Sequence, residues 1–198
     1  MIDTSIPYYP LIMSKTDTDI YPKHSLPNGY EFVFYKEGDA RKWAEIQTAV
    51  GSFGSIERGI EVFIRDFIEN QPLSAEERVL FVRDEKGEYI ATAALWDGDH
   101  FGSREQRIHW VAVHDAHGGK GIAKAMMTCL MELYRSLGYN GFIYLTTGTR
   151  NYPAVAIYER FGFKLYEDTK SLFTDLDDEA FTKQNETAIK LVNTMLKR

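Results

Sequence analysis

The sequence has a single cysteine, Cys129, among 198 residues. That excludes a disulfide framework within the chain, and a reducing, cytoplasmic setting is expected. No apolar run approaches the length of a membrane-spanning helix. The first residues do not pair a basic stretch with an apolar one, so neither a signal peptide nor a membrane partner is expected. Positive charge is in short supply: 23 Lys and Arg stand against 29 Asp and Glu, a net charge of −6. The basic stripe of a nucleic-acid binder is missing, so no nucleic-acid partner is expected. His114, Asp115 and His117 lie close together but lack the spacing of a structural zinc site, and no metal is expected. There is no internal repeat and no low-complexity segment.

What is present is an ordinary globular composition, 44% hydrophobic and 26% charged. Residues 1–29 read as an N-terminal arm, in which Leu11–Met13 has room for a short edge strand. Residues 30–198 read as a single domain. Tyr30–Tyr35 reads as a strand. Asp39 is placed to cap a helix carrying Trp43, Ile46, Gln47 and Val50. A second helix sets Ile60, Phe63, Ile64, Phe67 and Ile68 on one face and ends at Pro72. Val79–Arg83 and Tyr89–Trp96 form a hairpin around Asp84–Gly87. Ile108–Val113 is a strand. The helix from Gly121 turns Ile122, Ala125, Met126, Cys129, Leu130, Leu133 and Leu137 inward, and Gly138 ends it. A strand at Phe142–Thr147, a short helix at Pro153–Phe161 and a strand at Phe163–Glu167 follow. An acidic loop, 175–179, then leads to a last helix, with Ile189, Val192 and Leu196 inward. This order predicts an α+β fold, or a mixed sheet with helices on both faces.

The stretch from Ile108 to Lys124 is the most informative. A strand runs into His114-Asp115-Ala116-His117-Gly118-Gly119-Lys120-Gly121, and a helix follows at once. Such a joint aims several unpaired N–H groups at one place, and the helix dipole reinforces them. Phosphate or pyrophosphate is the usual guest. A P-loop is excluded, because Gly121 follows Lys120 where Ser or Thr is required. A dinucleotide fingerprint is only half present. The helix also starts without a Ser, Thr or Asp cap, which leaves donors for something else.

Two segments resemble the GNAT acetyltransferases. Val111-Ala112-Val113 followed by Gly118-Gly119-Lys120-Gly121-Ile122-Ala123 is similar to that family's acetyl-CoA turn. Gly121 and Ala123 match, and Gly118 stands where the family usually has Gln or Arg. Asn151-Tyr152-Pro153-Ala154-Val155-Ala156-Ile157-Tyr158-Glu159-Arg160-Phe161-Gly162-Phe163 is similar to its Asn-x-x-Ala-x-x-x-Tyr-x-x-x-Gly-Phe segment. Residues 108–167 carry the resemblance, roughly a third of the chain.

The resemblance implies a splayed, mostly antiparallel sheet and transfer of acetyl from acetyl-CoA, as cosubstrate, to a primary amine. It implies that main-chain groups of Val111 and Val113 meet the pantetheine arm. Gly118, Gly119, Lys120, Gly121, Ile122 and Ala123 would hold the pyrophosphate, and Asn151 would bond the amide arm. Tyr158 would protonate the departing thiolate, a role that suits a phenol near pKa 10. Tyr158 also reads as a buried aromatic, and Asn151 as a helix cap. His109 shares a strand face with Val111 and Val113 by simple alternation. It reads either as a structural histidine or as the base, acting directly or through water. Arg107 stands where other members keep a Glu. Cys129 reads as packing, Trp96 and Trp110 as core or as the lining of an acceptor pocket, with core favoured for Trp110, and His114 and His117 as solvated loop residues. The acceptor, a small molecule or a peptide amine, is not legible. A homodimer is left open. The rival reading is a non-catalytic acyl-CoA-binding module.

Overall fold

The computed structural model of the chain describes residues 3–69, 73–167 and 174–197. The central hairpin forms where its turn chemistry lies. Asp84 Oδ1 accepts from the N–H groups of Lys86 and Glu88, at 2.9 and 3.0 Å. This is the local bonding that makes Asp a turn residue. Strands Val79–Asp84 and Tyr89–Gly98 pair antiparallel about it. They are the third and fourth of seven strands among the described residues, with β1 (Pro10–Lys15), β2 (Tyr30–Phe34), β5 (Glu105–Val113), β6 (Ile143–Gly148) and β7 (Lys164–Leu165). The strand order is β2-β3-β4-β5-β6-β1-β7, in an open, mostly antiparallel sheet. The chain is thus a mixed α/β fold, as the element order predicts. Among the described residues no helix is long and apolar enough to cross a membrane.

Two compact units share the chain, Met1–Pro22 with Asp97–Arg107 and Tyr139–Arg198, and Lys23–Trp96 with Ile108–Gly138. The second holds α1 (Ala40–Ala49), α2 (Ile56–Phe63), a π-helical turn (Ile64–Glu69), α3 (Ala75–Arg78) and α4 (Ile122–Ser136). Its core is aromatic. Trp43 meets Phe63, Phe67 and Trp110 edge-on, with ring centroids 5.4, 5.9 and 5.3 Å apart. Each such pair contributes about 0.5–1.5 kcal/mol beyond its buried area. Helices α1 and α2 touch at Gly59, where an added Cβ would lie 2.7 Å from that of Ala44. Only glycine permits that approach.

Two helical faces differ from the sequence reading. Phe63 and Phe67 are fully buried, but Ile64 and Ile68 are 38% and 42% exposed. Each isoleucine follows its phenylalanine by about 100° of helical rotation, so once the two rings fill the core the isoleucines fall at its margin. The expected end of this helix at Pro72 lies outside the described residues. In α4, Tyr134 is buried and Leu137 is exposed. The helix stops at Ser136, and Leu137 is its C-cap, so the inward stripe ends one step early.

The first unit contains β1, β6, β7, α5 (Tyr152–Arg160) and α6 (Asp178–Met195). β1 is not an edge strand. Met13 is opposite Leu145 of β6 on one side and Leu165 of β7 on the other. β7 is shorter than the predicted strand at 163–167, and it covers β1 only at Met13 and Ser14. Of the acidic residues expected in a loop, Asp175 lies before α6, while Asp177, Asp178 and Glu179 begin it. Asp177 Oδ1 accepts from Ala180 N–H at 2.8 Å, and Asp178 and Glu179 occupy the first turn, where the helix dipole favours negative charge.

Candidate active site

β5 ends at Val113, and His114 N–H donates to the Ile90 carbonyl at 2.8 Å. A 3₁₀ turn, Asp115–His117, follows, capped by His114 Nδ1, which accepts from Ala116 N–H. Gly119 and Gly121 then take φ of +75° and +87°. These are left-handed conformations that side chains with a Cβ resist. A Cβ at either position would meet nothing within 4 Å. The backbone, not crowding, therefore demands glycine there. Gly118 is different: its φ is −63°, and an added Cβ would lie 3.1 Å from the Asp115 carbonyl oxygen.

Gly121 is the N-cap of α4, and no side chain caps that end. A helix leaves its first N–H groups without partners inside the helix. Here they open beside two glycines with clear space around them, which fits a pyrophosphate held by main-chain donors. Lys120 Nζ donates to Tyr30 Oη at 3.0 Å, and Tyr30 Oη lies 2.8 Å from His117 Nδ1. Burial and the Lys120 charge lower the His117 pKa, favouring neutral imidazole. A neutral Nδ1 acceptor completes a donor chain from Lys120 through Tyr30 to His117. His117 is thus a brace of the turn, not a merely solvated residue. Tyr30 gave no sign of this role in the sequence, where it reads only as the start of a strand.

The middle of β5 is irregular. Trp110 has φ +52°, an outlier for a bulky residue. Its carbonyl accepts from buried Gln47 Nε2 at 2.8 Å, and its indole Nε1 donates to Asp66 Oδ2 at 3.1 Å. His109 Nε2 lies 3.6 Å from the same Asp66 oxygen. Neighbours on a regular strand point to opposite faces. His109 and Trp110 both reach one carboxylate, so simple alternation, and the face assigned to His109 by it, fails here. Val111 and Val113 are half-buried, while Ile108 and Ala112 are the buried positions of this strand.

Asp66 is the residue the sequence reading missed. It sits on the π-helical turn, next to Phe67, and Arg65 NH2 lies 2.7 Å from its Oδ1. Burial opposes its charge, but His109, Arg65 and Trp110 outweigh burial and hold the carboxyl at about 2. The only clue in the sequence was an acidic residue inside an apolar helical stripe.

Asn151 and Tyr158 belong to the first unit. Asn151 is the N-cap residue of α5, but its side chain makes no capping bond. Tyr158 is buried, 6.5 Å from Phe163 between ring centroids. Burial pushes its phenol up to about 12, so it is fully protonated at neutral pH. Cys129 is half-buried, and burial raises its thiol to about 11, which suits packing. Trp96 is buried and Trp110 packs against the aromatic core. Among the described residues no cluster of His, Cys, Asp and Glu is arranged to hold a metal ion.

Comparison with known proteins bears on this geometry. A family model described as the acetyltransferase (GNAT) family matches residues 43–163. A segment of 63 residues is 32% identical to N-acetyltransferase family 8 member 2 of Rattus norvegicus, covering 32% of this chain and 27% of that protein. Another, of 76 residues, is 33% identical to an N-alpha-acetyltransferase of Saccharolobus solfataricus, covering 38% and 45%. The matched part thus spans less than half the length of either relative. Among solved structures, a GCN5-related N-acetyltransferase from Sphaerobacter thermophilus superposes with a TM-score of 0.60 at 21% identity, over 79% of this chain and 48% of that one. A GNAT-family acetyltransferase from Colwellia psychrerythraea gives 0.60 at 13% identity, over 81% and 54%. The two structural likenesses speak for the fold alone. The family match covers more than half of the sequence, and the chain belongs to the GNAT acetyltransferase family.

Proposed function

We propose that this protein is an acetyl-CoA-dependent N-acetyltransferase whose acceptor is a primary amine. The observation that carries the reading is the uncapped start of α4, preceded by left-handed Gly119 and Gly121 with open space around both. Main-chain N–H groups of Gly119, Lys120, Gly121, Ile122 and Ala123 hold the pyrophosphate, with Gly118 completing the turn. Lys120, steadied by Tyr30, adds positive charge beside it. Backbone groups of Val111 and Val113 receive the pantetheine arm, and Asn151, whose side chain is not spent on capping, bonds its amide.

The amine loses a proton to His109, directly or through water, and its nitrogen attacks the thioester carbonyl. The carbon–nitrogen bond forms, the carbon–sulfur bond breaks, and Tyr158 protonates the departing thiolate and is restored by the second proton that the nitrogen sheds as it becomes an amide. No covalent enzyme intermediate is needed. Donors at the strand end stabilise the charge that develops on the carbonyl oxygen. The lone, half-buried cysteine fits a reducing, cytoplasmic setting. The acceptor is a small molecule or a peptide amine.

The test is release of free CoA from acetyl-CoA in the presence of a panel of primary amines. Acceptor-dependent release with formation of the N-acetyl product supports the reading. Binding of CoA without acceptor-dependent release overturns it.

A further inference from the structure

We propose that CoA binding at the glycine turn brings a proton to His117: Lys120 leaves Tyr30 for a phosphate, and Tyr30, which joins the two side chains through one oxygen, passes the change to the imidazole. This rests on the reading that the turn holds the pyrophosphate. Three observations lead to it. Tyr30 Oη lies 3.0 Å from Lys120 Nζ and 2.8 Å from His117 Nδ1, so a single atom links the cation of the turn to a titratable ring. The three groups also pack together. The Tyr30 and His117 rings meet edge-on with centroids 5.7 Å apart, and Lys120 Nζ lies 5.6 Å from the centre of the Tyr30 ring. His117 is half-buried and stands directly before Gly118-Gly119-Lys120-Gly121, where the phosphates are placed.

Burial first, and the Lys120 charge next, keep the imidazole neutral. A phosphate beside Lys120 offsets that charge, so the ring takes a proton more readily. Other charges bear on it as well. Asp84 and Lys86, on the turn between β3 and β4, act in opposite directions: Asp84 favours the imidazolium and Lys86 opposes it. His114, on the same 3₁₀ turn with its ring centroid 6.2 Å away, also opposes it. Of these groups, Lys120 is the one that belongs to the glycine segment, and so the one whose charge CoA meets directly. His114 is the nearest rival for the proton, but its Nδ1 accepts from Ala116 N–H at 3.3 Å, whereas that of His117 meets Tyr30.

The balance is one proton, taken from solvent by the imidazole, with no covalent bond made or broken between heavy atoms. Tyrosine suits the link because a hydroxyl both donates and accepts. Tyr30 Oη donates to neutral Nδ1 and accepts from the Nδ1–H of the imidazolium, so the contact survives while its direction reverses. Lys120 then gives up an oxygen that accepts from His117 instead. The turn gains a positive charge as the anion arrives. The coupling is reciprocal: CoA raises the proton affinity of His117 by the factor by which the proton raises the affinity for CoA.

Histidine NMR titrations of the full chain, with and without CoA, read the ring directly. Backbone connections identify His117 among the five histidines. Its midpoint is expected to rise by about one pH unit or more when CoA saturates the protein. Calorimetric titration with CoA at pH 7, in two buffers of different ionisation enthalpy, should show more proton uptake by the wild type than by His117→Gln. Comparing the two proteins cancels the protons of CoA's own phosphates. A one-unit rise corresponds to an affinity for CoA that falls about tenfold, relative to His117→Gln, as the pH passes both midpoints. Tyr30→Phe breaks the link and should reduce the rise by half or more. A His117 midpoint that bound CoA leaves in place overturns the proposal, as does a rise at His114 instead, or a full rise in Tyr30→Phe. The wild-type midpoints need no variant, so they decide even where His117→Gln does not fold. No heat and no shift of any resonance with CoA would remove the pyrophosphate reading instead, a separate outcome.

Discussion

Gln47 of α1 donates from Nε2 to the carbonyl of Trp110 at 2.8 Å, and Trp110 is the residue whose positive φ interrupts β5. Gln47 is itself buried, and its Oε1 accepts from Ser52 Oγ at 2.9 Å. A helix thereby holds the irregular strand by its main chain. Gln47→Leu keeps the volume and removes both bonds. It leaves a carbonyl without this donor, and is expected to cost about 1–3 kcal/mol. Urea unfolding monitored by fluorescence measures the loss. The same variant should alter the indole environment of Trp110, because the bulge is no longer pinned.

Stability should depend on acid through Asp66. Its folded pKa is about 2, below the ordinary 3.8. The stabilisation it brings is full above pH 4 and disappears as the pH falls through 2, because the unfolded chain takes up the proton first. That gap is worth about 2 kcal/mol, since a tenfold change in proton affinity corresponds to about 1.4 kcal/mol. Denaturation midpoints compared at pH 7 and pH 2.5 should show a smaller drop in Asp66→Asn than in the wild type. An equal drop in both would mean that the acid sensitivity arises elsewhere.

Much of this arrangement was legible from residue order, and the parts that were not have physical reasons. The hairpin, the glycine turn and the short helix with Pro153 near its start are local, since each is written by neighbouring residues. Asp84 and Gly87, or Gly119 and Gly121, suffice to place a turn. Asp66, Gln47 and Tyr30 were hidden because their roles depend on partners more than 40 residues away: Trp110 for the first two and His117 for the third. The bulge at Trp110 was hidden for another reason. Alternation assumes regular φ, and nothing in Ile-His-Trp-Val announces a left-handed tryptophan. β1 was underestimated because its interior position depends on β7, a strand of only two residues distant in sequence.

The glycine turn gives an ordered set of expectations. Gly119→Ala and Gly121→Ala each force an alanine into φ of +75° or +87°, at about 1–2 kcal/mol. Both should weaken CoA binding, since the N–H groups lose their aim. Gly118→Ala needs no left-handed backbone and meets only the Asp115 carbonyl, at 3.1 Å. Its effect should be the smallest of the three. Calorimetric titration of each variant with CoA ranks them. A ranking with Gly118 first would transfer the weight of the site from backbone conformation to the space before Gly118.

Tyr158→Phe separates packing from proton transfer. The phenylalanine keeps the buried ring and its approach to Phe163, so folding should change little. What disappears is the one hydroxyl assigned to the leaving thiolate. A fall in kcat of about 10²-fold or more is expected, the usual worth of a general acid, with CoA affinity unchanged. Burial places the phenol at about 12, so Tyr158 stays protonated across the range in which an enzyme is assayed. The alkaline limb of the wild-type profile therefore should not belong to it, and Tyr158→Phe should lower the whole profile without moving that limb. A variant that retains full kcat would assign the thiolate's proton to water and return Tyr158 to the packing of α5.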